Sequence, residues 1–492
     1  MEILFASTEL APFVKVGGLA DVAAALPKAL RALGHRVTVV LPRYPLLESS
    51  GLLLARRLTP LRFTLGDKAF EATLYDARLA SQVDLLVVDL PGLLDRDGVY
   101  GERGVDYPDN ALRFAAFSRA VAEIALARGL AGQPVDIVHC HDWPTALVPT
   151  YLQALARTAA GESSLASTRT VLTLHNVAHQ GIFEPAVFPS LGLPAASFTM
   201  DGLEFYGKLN FLKQGIIAAD RLTTVSPTYA REIQTPGEDG RGGHKLEGVL
   251  ASKSRPIVGI LNGVDAGVWN PAVDPALAAR YDAEDHSPRA RCRGALQKEL
   301  GLPLDPAAPI IGSVGRLVHQ KGSDLVAAVL PKILRHTDAQ VVICGDGDEA
   351  LVAKLEQATA RSHGRALFLR AAAEPVVHRL YAAADLVLVP SRFEPCGLVQ
   401  MYAQRYGALP VARATGGLVD TVVDCDAALE TGTGFLFQED DENALLAAVE
   451  RGIAARAHAR WPSLVRRVMR LDRGWERPAR QYEQLFRQMS VR

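Results

Sequence analysis

The sequence predicts an α/β chain made of two doubly wound domains, each a parallel sheet covered by helices on both faces. Three observations carry this reading. Short apolar strands alternate with amphipathic helices, the alternation starts afresh at Pro309–Val314, and polar or glycine-rich loops follow the strands. Those loops lie where open parallel sheets bind ligands, beyond the carboxyl ends of the strands.

The first series opens with a strand over 2–8, a helix over 19–33 stopped by Gly34, and a strand over Arg36–Leu41. Further strands are expected at Val83–Asp89, Val135–Cys140 and Thr170–Leu174, and near Arg221–Val225. The second series runs from strand Pro309–Val314 to helix 323–334, strand 340–344 and helix 349–362. Strand Leu386–Val389, helix 398–406, strand 409–412, strand Gly434–Phe437 and helix 440–456 complete it. The domains are expected over 1–258 and 259–465, and Trp475, Tyr482, Leu485 and Phe486 at helical spacing predict that 466–492 packs back on the first. Asn270–Pro309, rich in Pro, Ala and charge, reads as a peripheral insertion, and Gly237–Gly243 as a mobile loop.

Composition narrows the function. With 492 residues, 49% hydrophobic and 22% charged, the chain has the balance of a globular protein with room for large cores. Its 53 basic and 54 acidic residues leave no net field to attract nucleic acid or an anionic membrane, so neither is an expected partner. The five cysteines are scattered without C-x-x-C spacing, which argues for a reducing compartment and against a disulfide framework or a structural zinc. Met1 leads directly into an apolar strand, and no apolar stretch reaches membrane-span length, so the cytoplasm is the expected location.

The loops hold the chemistry. After the first strand, Lys15 precedes Gly17 and Gly18 at a helix start, with Asp21 in its first turn. Paired glycines let a ligand approach backbone N–H groups where the helix dipole favours an anion, although a plain strand–helix turn has the same look. Two further strands end in His141-Asp142-Trp143 and His175-Asn176, which are either cleft residues or hydrogen-bonded structural ones. In the second series Arg316 and Lys321 flank a helix start and are suited to phosphate oxygens, or are surface groups beside a cap. A cation about 4 Å from a phosphate gains about 4 kcal/mol at an effective dielectric near 20, before desolvation. Glu394 heads the loop through Cys396, Gly397 and Leu398, and Thr415-Gly416-Gly417 is another glycine-rich helix start. Several such loops in one chain argue against each being incidental.

Read together, these segments resemble the bacterial glycogen synthase and plant starch synthase family over essentially the whole chain. The resemblance rests on Lys-Val-Gly-Gly-Leu-Ala-Asp-Val (15–22), His-Asn-Val-Ala-His-Gln-Gly (175–181), Tyr-Gly-Lys-Leu-Asn-Phe-Leu-Lys (206–213) and the run 219–230. It continues in Asn-Gly-Val-Asp (262–265), Gly-Arg-Leu with Gln-Lys-Gly (315–322), Pro-Ser-Arg-Phe-Glu-Pro-Cys-Gly-Leu (390–398) and Thr-Gly-Gly-Leu-Val-Asp-Thr-Val (415–422). The resemblance implies two Rossmann-like domains of GT-B type with a deep cleft between them. It further implies retaining transfer of glucose from ADP-glucose to the non-reducing end of an α-1,4-glucan (glycogen), with no cofactor and no metal. By the same resemblance Glu394, His175, Arg316, Lys321 and Asp142 are the catalytic set. Lys15, Gly17, Gly18, Asp21, Asn262, Cys396, Gly397, Leu398, Thr415, Gly416 and Gly417 would bind substrate.

Four features bear on the details. Gln400, Met401 and Tyr402 occupy the turn after Glu394, where many related two-domain transferases carry a second Glu, so front-face attack through a short-lived ion pair is expected. Closure of the domains would then exclude water. Ala371-Ala372-Ala373 stands where the family usually has an aromatic residue, which removes an expected stacking surface for the base. Pro144 replaces a usual His, and 237–244 is longer and richer in glycine than in relatives. A nicotinamide dehydrogenase would need a glycine fingerprint that is missing. A phosphorylase would need an identifiable cofactor lysine, and a non-catalytic glucan binder would be expected to lack the charged residues present here.

Overall fold

Ile3, Leu4, Phe5 and Ala6 are all buried, as a parallel strand covered on both faces requires, and the strand they form (Glu2–Ala6) lies inside the first sheet. The computed structural model describes residues 1–102, 104–237 and 242–490; most of the Gly237–Gly243 loop lies outside them. The chain divides into two compact units. One gathers 1–237, Gly242–Gly263 and the C-terminal helix, and the other runs over Val264–Gly474.

In the first unit the parallel strands run Val258–Gly259, Arg221–Thr224, Arg169–Leu174, Ile137–His141, Glu2–Ala6, Arg36–Pro42 and Asp84–Asp89 across the sheet. An antiparallel edge, Lys68–Arg78 with Ala55–Arg56 and Leu61–Leu65, continues it. That edge escapes a search for continuous apolar runs because it is half exposed, with polar and apolar residues mixed. Helix Asn110–Leu130 is also absent from the sequence reading. It is alanine-rich with buried positions on most of its circumference, so it shows little amphipathic contrast. Its fully buried Arg113 is held by the carbonyls of Leu93 (2.6 Å) and Val99 (3.0 Å) and by Asn110 Oδ1 (2.6 Å).

The second unit has six parallel strands in the order Ala366–Arg370, Gln340–Gly345, Ile310–Val314, Leu386–Val389, Leu409–Arg413 and Phe435–Phe437. Numbered along the chain this is 3-2-1-4-5-6, the doubly wound dinucleotide-fold order. The reading of 270–309 as peripheral is corrected. Helix Arg289–Leu300 packs on helix Glu374–Ala383, Tyr281 OH donates to the Tyr406 carbonyl (2.8 Å), and buried Asp274 pairs with His378 (2.7 Å). Helix Arg289–Leu300 is polar enough to hide this role, since only Cys292, Leu296 and Gln297 are buried along it.

Trp461–Met469 is a helix of the second unit, whereas helix Glu476–Ser490 belongs to the first. Tyr482, Leu485, Phe486 and Met489 enter the same core as Ile3, Phe5, Val37 and Val39. The chain thus passes between units at Gly474–Trp475 rather than at 465–466. Among the described residues, no helix is long and apolar enough to cross a membrane.

Candidate active site

In a doubly wound sheet the crevice opens where chain order reverses, between the first and fourth strands. In the second unit those are Ile310–Val314 and Leu386–Val389. The loops that leave them carry Arg316, Lys321 and Glu394, which line one cavity together with Ser313, Gly315 and Ser391. Lys321 Nζ lies 2.5 Å from Glu394 Oε2, which also accepts a hydrogen bond from Ser391 Oγ at 2.9 Å. Glu394 is buried and Lys321 partly open, so the pair presents its cation outward. The backbone enforces this. Gly322, at φ +67°, lies so close to the Pro390 carbonyl that a Cβ would come within 2.2 Å of it, and the Arg392 amide donates to the Gln320 carbonyl at 2.8 Å. Arg316 stands exposed on the cavity's rim, with no carboxylate paired to it among the described residues.

Cys396 is buried, Gly397 turns with φ +72°, and Leu398 caps helix Val399–Arg405. Gln400, fully buried, ties this loop down. Its Nε2 donates to the carbonyls of Cys396 (3.0 Å) and Gly397 (2.9 Å) and to Thr421 Oγ1 (2.9 Å). Thr415 Oγ1 is buried without a partner among the described residues. Gly417 joins the two loops. Its amide donates to the Glu394 carbonyl at 2.9 Å, and a Cβ there would meet the Cys396 carbonyl oxygen at 2.3 Å. A glycine there allows the close packing of the two loops. Gly416, at φ +46°, is buried beside it. Tyr402 lies flat on Trp269, with centroids 3.9 Å apart and planes at 12°, and Trp269 also stacks on His378 at 4.0 Å. A carboxylate in place of Tyr402 would face an aromatic stack.

In the first unit the corresponding strands are Glu2–Ala6 and Ile137–His141. Lys15 Nζ is 2.9 Å from Asp21 Oδ1, and both are partly exposed. The amides of Val16 and Gly17 both donate to Glu9 Oε2 at 2.8 Å. Tyr100 OH donates to the other oxygen of Glu9 at 2.9 Å. Gly17 has ordinary extended φ and open space where a Cβ would stand, and Gly18 begins helix Gly18–Ala32 in an exposed position. Glu9 therefore shapes the loop, a role invisible in the sequence because the contact is specific to the folded turn.

At the next strand end Asp142 adopts φ +55° with ψ −171°, a strained combination that is nearly confined to glycine. Its Oδ1 accepts from the amides of His175 (2.7 Å) and Asn176 (3.4 Å). Burial raises this carboxyl to about 7 against the pull of those amides. His175 Nε2 and His141 Nδ1 are 2.9 Å apart, so one donates to the other. Burial lowers His175 to about 3 and His141 well below the usual value, and both are neutral near pH 7. His139, likewise held at about 3, bonds Thr173 Oγ1 at 2.7 Å. Two further buried imidazoles thus lie behind His175: His141, hydrogen-bonded to it, and His139, whose ring packs against that of His141 with centroids 4.2 Å apart. Alternation along Ile137–His141 could have pointed to them, since His139 and His141 share one face of the strand. Asn262, after strand Val258–Gly259, is buried with Oδ1 unpartnered among the described residues.

The family described as starch synthase catalytic domain matches residues 2–252, and glycosyl transferases group 1 matches 298–460. A glycogen synthase of Anaeromyxobacter sp. (strain Fw109-5) is 46% identical, with 100% of both chains covered. Glycogen synthase 2 of Geobacter sulfurreducens is 41% identical, covering 99% of this chain and 98% of its own. The catalytic domain of starch synthase IV from Arabidopsis thaliana, solved bound to ADP and acarbose, superposes with TM-score 0.90 at 34% identity, covering 100% of this chain and 99% of that one. A sucrose-phosphate synthase from Thermosynechococcus elongatus, 19% identical with TM-score 0.59, shares the fold alone. The chain belongs to the glycogen and starch synthase family of glycosyltransferases.

Proposed function

We propose that the protein transfers glucose from ADP-glucose to the non-reducing end of an α-1,4-glucan, retaining the anomeric configuration and releasing ADP. The second unit would hold the nucleotide sugar, and the first would serve the acceptor and contribute Lys15. The observation that carries the reading is the Lys321–Glu394 pair, a buried carboxylate and an outward-facing cation in one cavity with Arg316. As the bond between sugar and diphosphate breaks, charge grows on the departing phosphate, and fixed cations stabilise it more than they stabilise the ground state. Arg316 and Lys321 have that role.

Retention by double displacement would need a carboxylate nucleophile close to the anomeric carbon. In the turn after Glu394, Gln400 binds loop carbonyls and Tyr402 stacks on Trp269, so neither can attack. The reading is therefore front-face attack, with the acceptor hydroxyl losing its proton to the departing phosphate. Neutral His175 would donate or accept a hydrogen bond at the sugar without adding charge. Asp142 positions that histidine through its backbone amide. The five cysteines, all buried and unpaired, support work in a reducing compartment, the cytoplasm.

Ala371, at φ +48°, and Ala373 are exposed and offer little surface for a base, so the donor preference needs a direct test. Labelled ADP-glucose and UDP-glucose are each incubated with glycogen and the label in glucan is counted. Incorporation from ADP-glucose in large excess over UDP-glucose is expected. No incorporation from either donor would overturn the reading.

A further inference from the structure

The run Tyr206–Lys213 belongs to a small antiparallel sheet that the proposed chemistry does not use. Its strands are Ile182–Phe183, Lys208–Asn210 and Glu204–Phe205, with Phe205 opposite Lys208. Tyr206 and Gly207 are thus the whole of a two-residue hairpin turn, with φ of +51° and +80°. Such a turn is most easily made by Asn-Gly, and a bulky residue at its first position is disfavoured. Here a tyrosine stands there, and its ring gains no burial in return. Tyr206 is 73% exposed, and Met200 (80%) and Ile182 (46%) are exposed as well. Phe205 meets the ring edge-on at 4.8 Å, and Lys245 Nζ lies 5.1 Å from its centroid.

This sheet is clamped to the loop that carries His175. The amides of Phe211 and Leu212 donate to the carbonyls of Gly181 (3.1 Å) and Gln180 (3.0 Å). Gly181 approaches Trp143 so closely that a Cβ would come within 2.5 Å of the indole. Around the turn both signs of charge occur, with Lys208 paired to Glu184 at 2.8 Å. A surface with aromatic and apolar faces and charges of both signs suits an uncharged partner that presents both C–H faces and hydroxyls. A charged polymer would call for one sign to dominate.

We propose that this hairpin is a docking surface for an α-glucan chain, with Tyr206 stacking on one of its glucose rings. The proposal rests on the acceptor class proposed above. Its test is native electrophoresis of the full chain in gels containing glycogen, alongside kinetics with glycogen and ADP-glucose. The variants are Tyr206→Asn, which suits the turn better and lacks the ring, and Tyr206→Trp, which keeps a stacking face. Tyr206→Asn is expected to melt no lower than the parent, to bind glycogen about five-fold more weakly, and to raise the glycogen KM in step. Its ADP-glucose KM should move by less than about two-fold, and Tyr206→Trp should retain glycogen binding. Unchanged glycogen binding by Tyr206→Asn, or equal loss in both variants, would overturn the proposal. If the parent transfers no glucose, the proposed function fails, yet the electrophoresis still decides whether this surface binds glucan.

Discussion

Replacing Lys321 with alanine separates a catalytic cation from a structural one. Removing Nζ leaves the Glu394 carboxylate, 6% exposed, with Ser391 Oγ as its remaining side-chain donor at 2.9 Å. Breaking a fully buried ion pair costs about 3–5 kcal/mol. Lys321 is 27% exposed, so water partly replaces it, and about 2 kcal/mol is a fairer figure. In a unit of this size that is a fall in melting temperature of roughly 4–8 °C. The catalytic loss has a different origin. A cation about 4 Å from a developing phosphate charge gains about 4 kcal/mol at an effective dielectric near 20, and desolvation returns part of it. A net 2–3 kcal/mol corresponds to about a hundred-fold fall in kcat/KM for ADP-glucose. Steady-state transfer of labelled glucose at saturating glycogen measures that fall, with the glycogen KM measured alongside. Adding Glu394→Gln to Lys321→Ala should restore the melting temperature, because the orphaned charge is gone, but leave transfer low. A loss under about five-fold, or equal losses for donor and glycogen, would refute the assignment.

Glu394→Ala alone should lower kcat by about a thousand-fold while the protein still binds glycogen, as judged by turnover and glycogen-gel retention. Gly417→Ala forces a Cβ to within 2.3 Å of the Cys396 carbonyl and should destabilise the second unit by about 3 kcal/mol or more, visible as a lower urea midpoint. Tyr402→Phe keeps the stack on Trp269 and should retain activity within about two-fold; a large loss would show a role for its hydroxyl. Stability should also depend on pH. The unfolded chain takes up protons on His139, His141 and His175 below about 6.5, whereas the fold holds His139 and His175 neutral down to about 3 and keeps His141 well below its usual value. Their contribution is therefore lost as pH falls through that window. Asp142 acts in the opposite sense, since the fold keeps its proton up to about 7 and the unfolded chain releases it near 3.8. Two groups' worth remains, about 3 kcal/mol per pH unit between about 4 and 6.5. Urea unfolding at pH 7.5 and 5.5 checks this, and equal stability at the two would refute it.

Much of the fold was legible because buried parallel strands announce themselves. Ile3–Ala6, Ile310–Val314 and Leu386–Val389 are short apolar runs closed by glycine or polar loops, and each lies inside a parallel sheet. The half-exposed edge at 61–78 and the evenly buried helix Asn110–Leu130 lack such contrast. The composition of 270–309 reads as a peripheral insertion, yet Asp274 and Tyr281 are buried by partners more than a hundred residues away in sequence.

At the candidate site, local chemistry was readable and pairwise geometry was not. Charged and glycine-rich loops after the strands, and the family they resemble, follow from residue order alone, because strand direction fixes which loops face the ligand end of a parallel sheet. Which amide meets which carboxylate depends on distances of a few tenths of an ångström between segments far apart in the chain. Glu9 taking the amides beside Lys15, Gly417 closing on Cys396, and the imidazoles gathering behind His175 were decided only there. The sequence by itself determined the architecture and the types of group at the strand ends. Tertiary packing decided their partners and protonation, because burial and hydrogen bonding act through space.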